Sequence, residues 1–151
     1  EGEAGRAALR DAQRAGWGGA LVALLRAQAR RHPEDPARRA WLGRSLLEAG
    51  RWPEAHGEIM EADRLLGGDP GLDLVWEGLE QVVVQAPDHA LPWFAAAIRR
   101  GPAREVSRRM ALLVWGKPLP PPLRASLIQL LRDEGSEHWS GVLRTLEQAR
   151  R

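Results

Sequence analysis

Apolar residues recur at helical spacing along almost the whole chain. Between residues 37 and 49, for example, Trp41, Leu42 and Leu46 fall on one broad face with small residues beside them. No stretch shows the alternation of a half-buried strand, and "QVVVQ" (81–85) continues a helical spacing. The pattern predicts an all-α chain of eight or nine helices. They cover 3–15, 20–32, 37–49, 53–66, 71–85, a segment from the turn at 87–88 to about 100, 103–115, about 122–134, and 137–150.

Start and stop signals around one segment predict an antiparallel helical hairpin. Asp35 followed by Pro36 is typical of a helix start, because the carboxylate caps free N–H groups and proline fits the first turn. Gly50 permits the left-handed conformation that often ends a helix. We expect Trp52 to fill the space beside this glycine, and Ala55 to be small because the partner helix crosses there.

The turn before this hairpin recurs. "PEDP" ends at Pro36 and "GGDP" ends at Pro70. The interval between these two prolines is the period of a tetratricopeptide repeat, about 34 residues. The stretch "LGRSLLEAGRWPEAHGEIMEA" (42–62) resembles such a repeat in its small and large positions, at Leu42, Gly43, Leu46, Gly50, Trp52, Ala55, Ile59 and Ala62.

Later repeats depart from the tetratricopeptide pattern. Trp76 and Glu77 stand near the place where Leu-Gly is expected, so the second repeat is degenerate. The third, 88–115, keeps Gly101 at its turn but carries Phe94 where a small residue is usual.

A wider resemblance covers about residues 20–134. The run "LVALLRAQARRHPEDPARRAWLGRSLLEAGRWPEA", then "APDHALPWFAAAIRRG" and the linker "GKPLPPPLRASLIQLL", resembles the C-terminal periplasmic domain of the cytochrome c biogenesis factors that chaperone apocytochrome c. This resemblance implies a groove that binds the C-terminal helix of apocytochrome c, with subunits of the haem-ligation complex as further partners. It also implies a periplasmic domain of a protein anchored in the inner membrane.

These patterns together predict one tetratricopeptide-like domain over residues 1–151. We expect leading helices in 1–35, repeats in 36–115, and a proline linker with capping helices in 116–151. The hairpins are expected to stack into a short right-handed superhelix. Because the first residue is Glu1 and not Met, we expect the sequence to be a piece of a longer or processed protein.

Composition narrows the function further. The net charge is only +2, from 22 Lys and Arg against 20 Asp and Glu, and the basic residues are scattered, so no nucleic-acid patch is expected. No apolar run approaches the ~20 residues that a membrane-spanning helix needs, and the mixed charge of the terminal helices argues against membrane contact by this segment. Cysteine is absent, which excludes disulfides and thiol chemistry within the sequence.

Candidate chemistry is sparse. The four histidines lack the spacing of a haem or zinc site, and none of the serines lies in a GxSxG motif. Ser45, in the middle of a predicted helix, is better explained by burial or groove lining than by nucleophilic attack. We therefore predict no enzymatic activity, no metal and no cofactor.

The predicted function is a protein-binding module. The first helix of each tetratricopeptide pair lines the concave surface, and the register places there Trp41, Arg44, Leu47, Glu48, Trp76, Glu80 and Trp93. Arginines such as Arg44 would hold acidic groups of a peptide or helix, although a merely solvated basic face is an alternative. An alternative function is a general scaffold that assembles another envelope or cytosolic complex.

Overall fold

The structure is a computed structural model that describes residues 2–148, and it is all-helical over that range. No strand occurs in this described part. Nine α-helices follow one another along it: α1 (Gly2–Arg14), α2 (Gly18–Arg31), α3 (Pro36–Glu48), α4 (Trp52–Leu66), α5 (Gly68–Gln85), α6 (Leu91–Arg100), α7 (Ala103–Gly116), α8 (Pro121–Glu134) and α9 (Ser140–Gln148). Short 3₁₀ turns at Pro87–His89 and Glu137–Trp139 precede α6 and α9.

The predicted helices correspond one to one with these nine. Most of their ends agree within two residues, and two ends differ more. Helix α5 begins at Gly68 and not at 71, because Gly67 ends α4 with a φ of +66° and Pro70 fits into the first turn of α5. The predicted last helix, 137–150, opens as a 3₁₀ turn whose N–H at His138 is capped by Ser136, and its final residues lie outside the described range.

The described chain forms two compact units, divided within α5. The first unit runs to Gly78 and the second begins at Leu79. The single domain over 1–151 and the stacked superhelix therefore stay predictions, and the units are described separately below.

The first unit is centred on the hairpin of α3 and α4. The side chain of Asp35 accepts hydrogen bonds from the N–H groups of Ala37 and Arg38, as the helix-start signal predicted. At the other end, Gly50 has a φ of +72°, its N–H bonds to the carbonyl of Leu47, and the next N–H bonds to that of Leu46. This is a Schellman motif, which satisfies carbonyls at the end of α3 and turns the chain into α4.

Close contact between α3 and α4 explains the small residues of the hairpin. Ala55 and Ala62 are fully buried, which confirms that α4 presents small residues to its partner. The closest approach lies at Gly43, where a β-carbon would come within 2.5 Å of the Cδ1 atom and 2.8 Å of the Cγ1 atom of Ile59. The ring of Trp52 lies beside Gly50, as predicted.

The spacing of helix starts and of a turn glycine recurs at the start of the chain. Helices α1 and α3 begin as far apart in the sequence as Pro36 and Pro70, and so do α2 and α4. The turns match as well, because Gly16 and Gly50 have this same separation and φ values of +79° and +72°. The repeating spacing thus extends into residues 2–31, which the sequence assigned to leading helices outside the repeats.

The second unit has an aromatic core. Trp93 and Phe94 on α6 and Trp139 before α9 are all buried, and the connector between α7 and α8 adds the buried Leu119. Helix α9 packs on α7 and α8, and Arg132 bridges from α8 to Glu147 on α9 at 2.6 Å. A large residue at position 94 is accommodated because it fills the interior of this unit.

Replacing Gly43 by alanine tests the close approach of α3 and α4. The added methyl group must displace the buried Ile59, so we expect G43A to lower the free energy of unfolding by about 1–3 kcal/mol. G57A is the matched control, because Gly57 lies in α4 with nothing within 4 Å of an added β-carbon. That variant should gain about 0.5–1 kcal/mol from helix propensity. Urea denaturation followed by circular dichroism measures the midpoint of unfolding for each variant. Equal midpoints for the two variants would contradict the close approach.

Acid titration tests the ion pairs of Glu54, one with Arg51 at the start of α4 and one with Arg26 on α2. Glu54 accepts hydrogen bonds from Arg51 and, across the helices, from Arg26. These bonds lower the pKa of Glu54 from 4.5, and the bond from Arg51 is the strongest cause. Because the folded pKa lies below the unfolded one, this stabilisation is present above about pH 4.5 and is lost as the pH falls through the folded value. We expect E54Q to show a smaller loss of urea resistance than the wild type between about pH 6 and pH 3.

The control for this titration is E134Q. Glu134 is exposed and makes no ion pair with the described residues. E134Q removes one carboxylate, as E54Q does, but breaks no ion pair with the described residues. A decline as steep in E54Q as in E134Q would show that the two ion pairs of Glu54 contribute nothing to the acid sensitivity of folding.

Candidate functional site

The first unit contains an open cleft between α3 and the first half of α5. Its volume is about 330 Å³. The end nearest the two helix starts is apolar, and the half-exposed Leu66 from the end of α4 contributes to it. The apolar lining consists of Pro36, Ala37, Ala40, Trp41, Leu66, Pro70 and Leu74.

The charged residues of the cleft are Arg44 on α3 and Asp73 and Glu77 on α5. Arg44 and Glu77 lie furthest along their helices and form the polar end, whereas Asp73 lies between the apolar Pro70 and Leu74. Pro36 and Arg44 are eight residues apart on α3, so the helical rise separates the apolar and polar ends by about 12 Å. The cleft is therefore amphipathic along its length.

Arg44 and Glu77 form the best-defined interaction in the cleft. The Nε of Arg44 donates to Oε1 of Glu77 at 2.9 Å, and its Nη2 donates to Oε2 at 3.2 Å. The side chains are only 19% and 31% exposed, so solvent screens this two-point ion pair less than a pair on the open surface. The guanidinium also lies 4.7 Å from the centroid of the Trp41 ring, which is cation–π geometry.

Helix α1 supports the same group of side chains from the other side. Gly5 leaves the gap that the Trp41 ring occupies, since a β-carbon there would overlap the ring. The next residue, Arg6, reaches Oε1 of Glu77 at 3.5 Å. The hydrogen bond from Arg6 to Glu3 is the main cause that raises the pKa of Arg6, so this guanidinium stays charged. Three helices thus fix the positions of Trp41, Arg44 and Glu77.

Only two of the predicted groove residues line this cleft. Trp41 and Arg44 do so. Leu47 is buried, and the half-buried Glu48 lies one position further along α3, outside the lining. Trp76 is also buried, at 7% exposure. Glu80 and Trp93 belong to the second unit, where Glu80 is exposed and Trp93 is buried at 1%.

The sequence reading missed the acidic residues of the cleft. Its register for α5 chose Trp76 and Glu80, whereas the helix presents Pro70, Asp73, Leu74 and Glu77. The spacing of these four residues is that of one helix face. The recurring prolines, Pro36 and Pro70, indicate this face, because each lies in the first turn of its helix and lines the cleft.

Ser45 and metal-binding side chains are the candidate chemical groups within the described range. The hydroxyl of Ser45 is buried and donates to the carbonyl of Leu42 at 2.8 Å, so it is a structural group. No set of three His, Asp or Glu side chains within residues 2–148 could hold a metal ion. Among the helices described here, none is long and apolar enough to cross a bilayer.

Comparison with protein-family models, curated proteins and solved structures found no match for this chain. Conclusions about its function therefore rest on its own sequence and structure.

A double-mutant cycle tests whether the two-point pair is energetically coupled. We expect R44Q and E77Q together to reveal a coupling of about 1–2 kcal/mol, because the pair is half-buried and bonded at two points. The matched control is the pair of Arg39 and Glu58, which joins α3 to α4 through a single contact of 3.1 Å at similar exposure. Its coupling should be about 0.5 kcal/mol. Equal couplings in urea denaturation would contradict a special role for Arg44 and Glu77.

Proposed function

We propose that this chain is a protein-binding module whose cleft between α3 and α5 takes a segment of a partner polypeptide. The observation that carries the proposal is the amphipathic cleft itself, with an open apolar end and a half-buried Arg44–Glu77 pair held against Trp41. Sites of this kind combine apolar walls with a few fixed polar groups that orient the ligand.

The size of the cleft favours anchoring of side chains over engulfing of a whole segment. A volume of about 330 Å³ is at the lower end for ligand sites. An apolar side chain of the partner would enter beside Leu66 and Pro70, while the rest of the segment lies across the surface. Binding of this type concentrates its energy in a few buried anchors.

The repeat geometry supports a tetratricopeptide class for the module. Helix starts recur at the tetratricopeptide period across α1, α3 and the first turn of α5, where Pro70 takes the place that Pro36 has in α3. The α3–α4 hairpin has the close approach at Gly43 that the Leu-Gly motif of this class requires. In such repeats the first helix of each pair faces the ligand, and here α3 and α5 line the cleft.

The partner follows from the resemblance of the sequence to apocytochrome c chaperones. We propose the C-terminal helix of an apocytochrome c, held in the periplasm for haem attachment by the haem-ligation complex. In this role the chain recognises a helix and catalyses no reaction. The hydroxyl of Ser45 is bound to the carbonyl of Leu42, which agrees with a structural role for that residue.

A general scaffold is the second candidate, and one observation favours it. Leu112 and Trp115 on α7 are 66% and 81% exposed and lie three residues apart, so both point to the same side of the helix. Exposed apolar neighbours of this size are a common feature of contact surfaces. A scaffold would use this face of the second unit in addition to the cleft of the first.

Calorimetry with a peptide of the C-terminal helix of a c-type cytochrome tests the proposed function. L66A removes an exposed anchor of the cleft and should weaken binding by about 5–30-fold. L24A is the matched control, because Leu24 is 56% exposed on α2 and lies outside the cleft lining. Its binding should equal that of the wild type.

Two outcomes would count against this function. One is an absence of heat at high micromolar peptide concentration. The other is an equal loss of affinity in L24A and L66A, which would place the peptide away from the cleft.

A further inference from the structure

The polar end of the cleft is electrically balanced, and this balance specifies what it can recognise. Resting on the proposed function, we infer that this end selects an uncharged carboxamide, the side chain of a glutamine or asparagine in the partner segment, in preference to a carboxylate or an ammonium group. The inference depends on the hydrogen-bonding capacity that Arg44 and Glu77 retain, on the charges around them, and on the length of the cleft.

Arg44 keeps donors for a ligand after it has bound Glu77. A guanidinium carries five N–H donors. The described residues use Nε and one N–H of Nη2, both toward Glu77. The two N–H groups of Nη1 and the second of Nη2 have no partner there. The stacking on Trp41 and the bonds to Glu77 fix the plane of the group, so little side-chain entropy is lost when a ligand accepts from it.

Glu77 in turn keeps acceptor capacity. An ionised carboxylate offers about four lone-pair sites. Arg44 occupies one on each oxygen, and Arg6 approaches Oε1 at 3.5 Å. A ligand that donates a hydrogen bond can therefore be received at Oε2 without breaking the ion pair. Donor and acceptor capacity thus stand side by side at this end of the cleft.

The surrounding charges penalise both kinds of ionised ligand group. A carboxylate would gain Arg44 but would face the carboxylate of Glu77, which Arg44 already binds. An ammonium would gain Glu77 but would face Arg44 and Arg6. A carboxamide accepts through its oxygen and donates through its nitrogen, so it uses both partners and meets neither repulsion.

The length of the cleft sets where the amide must lie on the ligand. The apolar and polar ends are about 12 Å apart, which is about seven or eight residues of a helix. Residues seven apart lie on the same helix face, so one face can present both groups. The favoured ligand is therefore a helix with an aliphatic residue near one end and a glutamine or asparagine about two turns away.

Four matched helical peptides of about 15 residues test this inference. Each carries a leucine and, seven residues away, a glutamine, glutamate, lysine or alanine. We expect the glutamine peptide to bind about 5–10-fold more tightly than the other three in calorimetry. Its affinity should change by less than about twofold between roughly 50 mM and 300 mM salt, because no net charge is paired.

A variant of the protein gives a second readout. E77Q removes the repulsion and frees Arg44, so it should bind the glutamate peptide about tenfold more tightly than the wild type does. E58Q makes the same charge change at the Arg39–Glu58 pair, outside the cleft lining, and should leave the peptide affinities unchanged. Circular dichroism confirms that both variants are folded.

The outcomes separate this inference from the proposed function. Three results overturn the inference. The first is tightest binding of the glutamate peptide with strong salt dependence, the second is tightest binding of the lysine peptide, and the third is no binding of any of the four. Equal binding of all four that L66A weakens also overturns it while supporting the proposed function. The cytochrome peptide decides the proposed function independently.

Discussion

The distance between α3 and α4 is the constraint on which the first unit depends, and Gly43 sets it. Its missing side chain lets Ile59 lie against the backbone of α3, and the fully buried Ala55 and Ala62 keep the same small separation on α4. A larger separation would leave voids beside these small side chains, and voids in a packed interior are costly. The position of α4 then fixes Leu66 at its end, and with it one wall of the cleft.

Stability and recognition share side chains in this unit. Trp41 fills the gap at Gly5 on α1, carries the guanidinium of Arg44, and forms part of the cleft wall. Glu77 connects α5 to α3 through the two bonds of Arg44 and lies close to Arg6 on α1. A site held by several helices is preorganised, so a ligand meets groups that have already lost their conformational freedom.

Much of the fold is readable from local sequence, and most of the site is not. Asp35, Gly50 and the small Ala55 act through neighbours in the chain or through helix periodicity, so their roles follow from the residues themselves. The site depends on the rotation of α5 about its axis. Trp76 is buried and Glu77 lines the cleft, although the two are adjacent, and a one-residue change of register exchanges their environments. Amphipathicity could not decide this rotation, because α5 has buried residues at Leu74, Val75 and Trp76 in succession.

Helix α1 has an unusual relation to the rest of the first unit. Leu9 is its one buried side chain, and all thirteen residues of the helix lie in the described range. So little buried apolar area gives a low free energy of local opening. Its amide protons should therefore exchange with solvent sooner than those of α3 and α4. Each such opening would withdraw Gly5 from Trp41 and Arg6 from Glu77, so the stability of α1 affects how rigidly the wall of the cleft is held.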